Sequence, residues 1–220
     1  MSKKILIAFL LICVSILFCS CKPVLNNRET KFEITDVATL TIFSYDGKGE
    51  SKFGISNLGH SFLSITNNSQ EPLELAGKKI EVDEELFFGA WSLNIHFGIW
   101  YNIENNYIDL YNKYNNRVSI EMGISKVDLN ILSDFILKND TWTIFKNCSH
   151  FAINAWNSVA SETEKLRTAL IVPTPTFLKS QILEFKGYTV NKPMSFYSGC
   201  GYFSDLTRTT FKFEGGEAYV

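Results

Sequence analysis

The chain has 220 residues, with 21 basic and 23 acidic side chains and a formal net charge of −2 at pH 7. No basic patch, arginine-rich run or alternating lysine–aromatic stripe accompanies this near-neutral balance, which argues against nucleic acid as a partner. The 18 Phe, 9 Tyr and 4 Trp residues favour a core rich in β-structure.

Residues 1–20 have the pattern of an export signal. Lys3 and Lys4 precede an apolar run from Ile5 to Phe18, which is shorter than a typical transmembrane helix. Removal of this segment leaves 200 residues with 19 basic against 23 acidic side chains. That length supports one domain with a sizeable core, and residues 36–220 are predicted to form it.

The end of this segment resembles the bacterial lipoprotein signal, in which a small residue precedes a cysteine that becomes lipidated. Ser20 and Cys21 fit the pattern, whereas Phe18 stands where the family usually has leucine. The resemblance implies lipidation at Cys21, a tether over residues 21–35 and an exported cell-envelope lipoprotein anchored to a membrane. A secreted protein without lipid is the main alternative, and a retained apolar anchor is a third.

Short strands are predicted along the first half of the domain. Strand-like runs cover 37–45, 59–66, 71–75, 80–82 and 117–122, and the first of them is rich in Val, Thr, Ile and Phe. Their close spacing predicts an antiparallel sheet. Phe88-Gly89-Ala90-Trp91 recurs as Phe97-Gly98-Ile99-Trp100, which indicates a hairpin or paired strands, and the Asn- and Tyr-rich stretch 102–116 predicts a long surface loop.

Three helices are predicted in the second half. Ser125, with Asp128 three residues later, forms a capping-box-like start for a helix to about Lys138. A second amphipathic pattern runs from Cys148 to about Ala160. Thr174-Pro175 opens a third helix that Gly187 ends, and residues 188–220 are expected to be irregular.

Cys148 is the strongest candidate for chemistry because it opens a predicted helix. Unpaired backbone N–H groups and the positive end of the helix dipole favour a thiolate there, and the thiolate is the nucleophilic form. His60, on a predicted strand, supplies a possible base. A disulfide between Cys148 and Cys200, and a core histidine at position 60, are the alternative interpretations.

The run Asn147-Cys148-Ser149-His150-Phe151 resembles the Asn-Cys-x-His-Phe element of permuted papain-like hydrolases. These include the lecithin:retinol acyltransferase-like and PPPDE families, relatives of the NlpC cell-wall peptidases. In that group the histidine precedes the cysteine and opens a strand, and Gly59-His60-Ser61-Phe62-Leu63 is similar. The resemblance, over roughly residues 55–160, implies Cys148 as nucleophile, His60 as base and an α+β fold. In that fold an antiparallel sheet or half-barrel packs against the Cys148 helix.

The third catalytic residue departs from the acyltransferase-like pattern, which has a second histidine on the strand after the base. Glu74 is our candidate to orient His60, and an exposed strand carboxylate is the alternative. His96 is expected in the core or at a rim. His150 is expected to point about 200° away from the thiol, since helical residues advance by about 100° each.

Trp91, Trp100 and Tyr101 are candidates to line a substrate groove, with buried core positions as the alternative. Neither a His-x-x-x-His nor a Cys-x-x-Cys spacing occurs, so no metal and no other cofactor is expected.

The predicted function is a thiol-dependent hydrolase that forms a thioester at Cys148. Peptide or cell-wall amides are the first expected substrates, and lipid ester hydrolysis or acyl transfer is the second. The rival interpretation is a non-catalytic surface lipoprotein that uses the same fold for binding.

Overall fold

The computed structural model describes residues 36–48, 59–111, 113–195 and 199–206. The predicted signal segment 1–20, the tether 21–35 and Cys21 lie outside these residues. The described part of the chain contains no helix long and apolar enough to cross a membrane.

Seven strands form one antiparallel sheet, and two short strands form a separate hairpin. The order across the large sheet is β8-β7-β1-β2-β5-β6-β9, and β3 pairs with β4 in the small one. The strands are β1 (Asp36–Tyr45), β2 (His60–Asn67), β3 (Leu73–Leu75), β4 (Lys78–Ile80), β5 (Glu85–Leu93), β6 (His96–Tyr101), β7 (Val118–Ser125), β8 (Thr189–Val190) and β9 (Gly201–Tyr202).

Four helices complete the described fold. They are α1 (Ile103–Tyr111), α2 (Lys126–Lys138), α3 (Cys148–Val159) and α4 (Pro175–Ile182). The predicted α+β class with an antiparallel sheet is therefore confirmed. The capping box at Ser125 is also present, because the Ser125 side chain accepts from the Asp128 N–H and the Asp128 carboxylate accepts from the Ser125 N–H.

Both faces of the large sheet are covered, because side chains alternate between faces along each strand. On one face, Leu63 and Ile65 of β2 join the larger core cluster, against which α2, α3 and α4 pack. On the other face, Phe62 packs with Phe43 and Phe87 in a smaller aromatic cluster, on the side where α1 lies against β5. Strand β2 is thus central, with the predicted nucleophile helix on one side of it and α1 on the other.

The prediction of a surface loop over residues 102–116 is wrong for most of that stretch. Residues Ile103–Tyr111 form α1, and Ile103 and Glu104 are fully buried. The Asn-rich composition gives little intrinsic helix propensity, so packing against β5 stabilises this helix. The predicted hairpin is confirmed, because β5 pairs with β6 and places Trp91 opposite Gly98.

Candidate active site

Cys148 is the first residue of α3, where the helix geometry leaves backbone N–H groups without intrahelical acceptors. Asn147 caps the helix: its backbone is extended and its side-chain oxygen accepts the N–H of His150 at 3.0 Å. The Cys148 N–H has no such acceptor within the helix and lies next to the thiol. A carbonyl attacked by the sulfur would therefore develop its negative charge near this N–H and the positive end of the helix.

His60 is the first residue of β2, and its position depends on the glycine before it. Gly59 has a φ of +75°, and a Cβ atom there would lie 2.2 Å from the carbonyl oxygen of Tyr45. Only glycine combines this left-handed conformation with such close backbone approach. The turn starts the strand at His60, whose side chain is buried with only a small exposed fraction.

Cys148 and His60 approach the end of β2 from the two faces of the sheet. Ser61 points toward α3, where its hydroxyl oxygen lies 2.9 Å from that of Ser149. The neighbouring His60 ring lies on the opposite face, 5.7 Å from the ring of Phe62 and 4.2 Å from that of Trp91. The Cys148 thiol and the His60 imidazole are close enough for each to shift the pKa of the other.

The electrostatics of this contact favour a thiolate–imidazolium pair. Burial alone lowers the pKa of His60, but the charge and hydrogen bond of Cys148 and those of Glu104 outweigh it and raise the pKa from 6.5 to about 9. Burial raises the pKa of Cys148, but the charge and hydrogen bond of His60 outweigh it and hold that pKa below the ordinary value. The Ser61 N–H and the Ser149 hydroxyl lower it further.

Glu104 of α1 is the carboxylate that contacts His60. Its Oε1 lies 3.1 Å from Nε2 of His60 and accepts the indole N–H of Trp91 at 2.8 Å. Glu104 is fully buried, so its charge acts on His60 without solvent screening. Because Nε2 faces Glu104, the ring nitrogen left for the thiol is Nδ1. Cys148, His60 and Glu104 thus form an array of thiol, imidazole and carboxylate.

Two residues determine where Glu104 lies over the sheet. Asn102 has an unusual backbone conformation, and Gly89 has no side chain. Asn102 has a φ of +57°, and its side-chain oxygen accepts the N–H of Phe87 at 3.1 Å, which turns the chain from β6 into α1. Gly89 of β5 lies under the carboxylate, where a Cβ atom would be 2.5 Å from Oε1 of Glu104 and 3.4 Å from Nε2 of His60. A side chain at position 89 would displace the carboxylate.

A row of buried serine hydroxyls leads from the thiol into the core. The Ser61 oxygen lies between that of Ser149 at 2.9 Å and that of Ser44 at 3.2 Å, and Ser44 donates to the carbonyl of Pro175 at 2.7 Å. The row joins β1, β2, α3 and α4 at one point. It therefore fixes the start of α3 relative to the strand that carries His60.

The structure does not place Glu74 beside His60. Glu74 is exposed on β3 of the small sheet, opposite Lys79, and the carboxylate that bonds His60 is Glu104. The prediction assumed that the strand following β2 in sequence is its neighbour in the sheet. The chain instead forms a small β3–β4 hairpin first, and β5 pairs with β2.

The three aromatic groove candidates separate into one site residue and two core residues. Trp91 is partly buried, contacts both His60 and Glu104, and stacks on Tyr107 at 5.5 Å. Trp100 and Tyr101 are each 1 % exposed, so they fill the core and cannot line an open groove. Of the three, Trp91 is the one that contacts His60 and Glu104 in the described structure.

The remaining histidines lie outside the array. His96 is at a partly exposed rim, with Nε2 2.7 Å from the Asp140 carboxylate. His150 lines a surface cavity, and burial together with the charge of Lys146 lowers its pKa. Among the described residues, no three His, Cys, Asp or Glu side chains gather in a group that could hold a metal ion.

Cys200 does not block the Cys148 thiol by forming a disulfide with it. Within the described part of the chain, neither Cys148 nor Cys200 forms a disulfide. Cys200 is buried in a cluster with Trp100, Ile103 and Tyr202, whereas Cys148 contacts His60. The thiol at the start of α3 is therefore available for chemistry.

Glu104 is the site residue that the sequence analysis missed. The available signal was the pair Ile103 and Tyr107, whose i, i+4 spacing is typical of one helix face, with a single acidic residue in the first turn. The surrounding asparagines concealed this short pattern. Recognising it would have placed a carboxylate at the start of a helix directly after the paired Trp strands.

No protein-family model, curated protein or solved structure matches the chain.

Proposed function

We propose that the protein is a thiol-dependent hydrolase in which Cys148 attacks a substrate carbonyl and forms a thioester. The observation that carries this proposal is the array of Cys148, His60 and Glu104, in which the pKa of the thiol is lowered and that of the imidazole is raised to about 9. Such opposed shifts in adjacent groups are typical of a nucleophile and its acid–base partner.

In the first half of the reaction the Cys148 thiolate adds to the carbonyl carbon. The negative charge moves to the carbonyl oxygen, beside the Cys148 N–H at the helix start. The His60 imidazolium then donates its proton to the leaving amine or alkoxide as the carbon–leaving-group bond breaks. The products are the free amine or alcohol and an acyl group held on sulfur, with His60 neutral.

In the second half the neutral imidazole of His60 takes a proton from water as the oxygen attacks the thioester. The carbon–sulfur bond breaks, the acid is released, and the thiolate–imidazolium pair is restored. Glu104 keeps the imidazole oriented in both halves and stabilises its charged form. Each proton taken up by His60 is returned within the cycle, so no co-reactant besides water is needed.

The order of the parts supports a circularly permuted papain-like fold. His60 opens a strand and precedes Cys148, which opens a helix packed on the same antiparallel sheet. Peptide or cell-wall amides are the first proposed substrates, in keeping with the export signal and the NlpC resemblance. The proposed location is the cell envelope, with the chain anchored through lipid at Cys21.

The test is the alkylation rate of Cys148 by iodoacetamide as a function of pH, followed by activity assays on peptide amides and on acyl esters. We expect rapid alkylation well below the pH at which ordinary thiols react, with His60→Ala slowing it at neutral pH. Cys200→Ala is the matched control, because this thiol lies outside the array. A Cys148 that titrates like an ordinary thiol regardless of His60 would refute the hydrolase and leave the binding lipoprotein.

A further inference from the structure

Two loops beside α3 end in large apolar side chains that face solvent. Ile144 and Phe145 form one tip, and Leu170 and Ile171 form the other; these four side chains are between 66 % and 104 % exposed. Phe145 and Ile171 line the same surface cavity of about 360 Å³, so the tips are neighbours across it. A group of large apolar side chains exposed on neighbouring loops is typical of an interaction site. We call these four residues the loop tips.

Among the residues that line the cavity, none is Asp or Glu, and the one Lys or Arg is Lys146. Lys146 lies next to Phe145 in sequence and lines the cavity itself. Apolar side chains can enter the acyl region at the surface of a bilayer, and an adjacent cation can bind its anionic headgroups.

The chain before β1 is long enough to bring this face to a membrane. From Cys21 to Asp36 the chain spans 15 residues, which reach at most about 50 Å when extended. A domain of this size is about 40 Å across. An anchor at or before Cys21 therefore allows the face that carries the loop-tip side chains to reach the bilayer.

We propose that the loop tips dock the domain on the surface of an anionic lipid bilayer. The four apolar side chains enter the boundary between headgroups and acyl chains, and Lys146 lies at the headgroups. Asn147 links this surface to the site, because its side-chain amide donates to the carbonyls of Pro173 at 2.9 Å and Ile144 at 3.4 Å. The residue that caps the Cys148 helix thus holds both loops. The docking does not depend on Cys148 being catalytic.

The experiment uses the full chain in vesicles of phosphatidylcholine and phosphatidylglycerol that contain a photoactivatable phosphatidylcholine. After irradiation, lipid adducts are mapped on tryptic peptides. Peptides 139–146 and 168–179 carry the loop tips, and peptide 127–138 carries Val127 and Leu137, two exposed apolar residues on α2. Adducts on the N-terminal segment serve as the internal reference for the amount of chain in the vesicle.

We expect adducts on both loop-tip peptides and none on peptide 127–138. The double variant Phe145→Ser/Ile171→Ser should lower the loop-tip adducts at least about tenfold relative to the N-terminal reference, since each large apolar side chain contributes about tenfold or more to partitioning. The matched variant Val127→Ser/Leu137→Ser should leave them unchanged. Adducts confined to the N-terminal segment, as a second chain covering the tips would produce, overturn the proposal. Equal labelling of peptide 127–138, or undiminished labelling in the loop-tip variant, also overturns it.

Discussion

The imidazole of His60 and the carboxylate of Glu104 meet inside the protein, with Nε2 3.1 Å from Oε1, although 44 residues separate them in sequence. The ring of Trp91 lies against His60 and donates its N–H to the same carboxylate oxygen. The Glu104 carboxylate therefore holds the His60 imidazole and the Trp91 indole together.

The first prediction concerns Glu104→Gln. The charge and hydrogen bond of Glu104 help to raise the pKa of His60 to about 9, so an uncharged amide at this position should lower that pKa. The measurement is an NMR titration of the imidazole resonances, which the presence of only three histidines makes tractable. In any activity assay, the alkaline limb, where His60 loses its proton, should move to lower pH in the variant.

The control for this experiment is the second histidine–carboxylate pair of the chain. His96 and Asp140 lie at a partly exposed rim, away from Cys148. Asp140→Asn should leave the titration of His60 unchanged. A His60 pKa that is the same in Glu104→Gln and in wild type would mean that the carboxylate has no part in tuning the base.

The second prediction concerns Gly89→Ala. The added Cβ would lie 2.5 Å from Oε1 of Glu104 and 3.2 Å from Cβ of Phe62, so the carboxylate must move from a buried position. Overpacking of this kind costs about 1–3 kcal/mol in the free energy of unfolding. The displaced carboxylate should also lower the pKa of His60, as Glu104→Gln does.

Urea unfolding and the same NMR titration check this prediction. Ser92→Ala is the matched control, because Ser92 is exposed on the same strand and should change neither quantity. An alanine at position 89 that leaves both the stability and the His60 titration intact would contradict the close packing of β5 under Glu104.

The sequence predicted the two halves of the site but not what connects them. Some features depend only on residues that are close in sequence, and these could be predicted. They are the capping residues, the cysteine at a helix start and the strand that begins at Gly59-His60. The partner of His60 depends on which strand pairs with β2 and on a helix that forms through packing rather than propensity. Glu104 is a buried carboxylate, whereas an acidic residue in a sequence is normally assigned to the protein surface. The burial of Trp100 beside the partly exposed Trp91 depends likewise on tertiary contacts.

The third prediction concerns Ser149→Ala. The Ser149 hydroxyl helps to lower the pKa of Cys148; burial, which raises that pKa, and His60, which lowers it, have larger effects. A hydrogen bond to a charged group contributes about 1.5 kcal/mol or more, so its loss should raise the pKa of Cys148 and slow alkylation roughly tenfold at pH values below that pKa. At high pH, where every thiol is ionised, the rates of variant and wild type should converge.

Ser158→Ala is the control for this comparison, because Ser158 is on the same helix and bonds only the backbone near it. Its alkylation profile should superimpose on that of the wild type. If Ser149→Ala also superimposes, the hydroxyl row positions the helix without acting on the thiolate.

The fourth prediction is a pH dependence of stability that belongs to the Cys148–His60 pair. The raised pKa of His60 stabilises the fold below pH 6.5, and this contribution is lost as the pH rises through about 9. The lowered pKa of Cys148 stabilises the fold above the ordinary thiol value, and this contribution is lost as the pH falls through the folded value. Between the folded pKa of Cys148 and pH 6.5, the unfolded pair binds two protons and the folded pair binds one. In that range this pair should therefore make stability decrease by about 1.4 kcal/mol for each unit by which the pH is lowered.

Urea unfolding of wild type and Cys148→Ala at a series of pH values from 5 to 7 isolates this contribution. The other ionisable groups are common to both proteins, so the difference between the two curves reports the pair. We expect the wild type to lose stability more steeply than Cys148→Ala as the pH falls below 6.5. Parallel curves would show that Cys148 is protonated in the folded protein at these pH values, and no thiolate–imidazolium pair would then exist to start the proposed reaction.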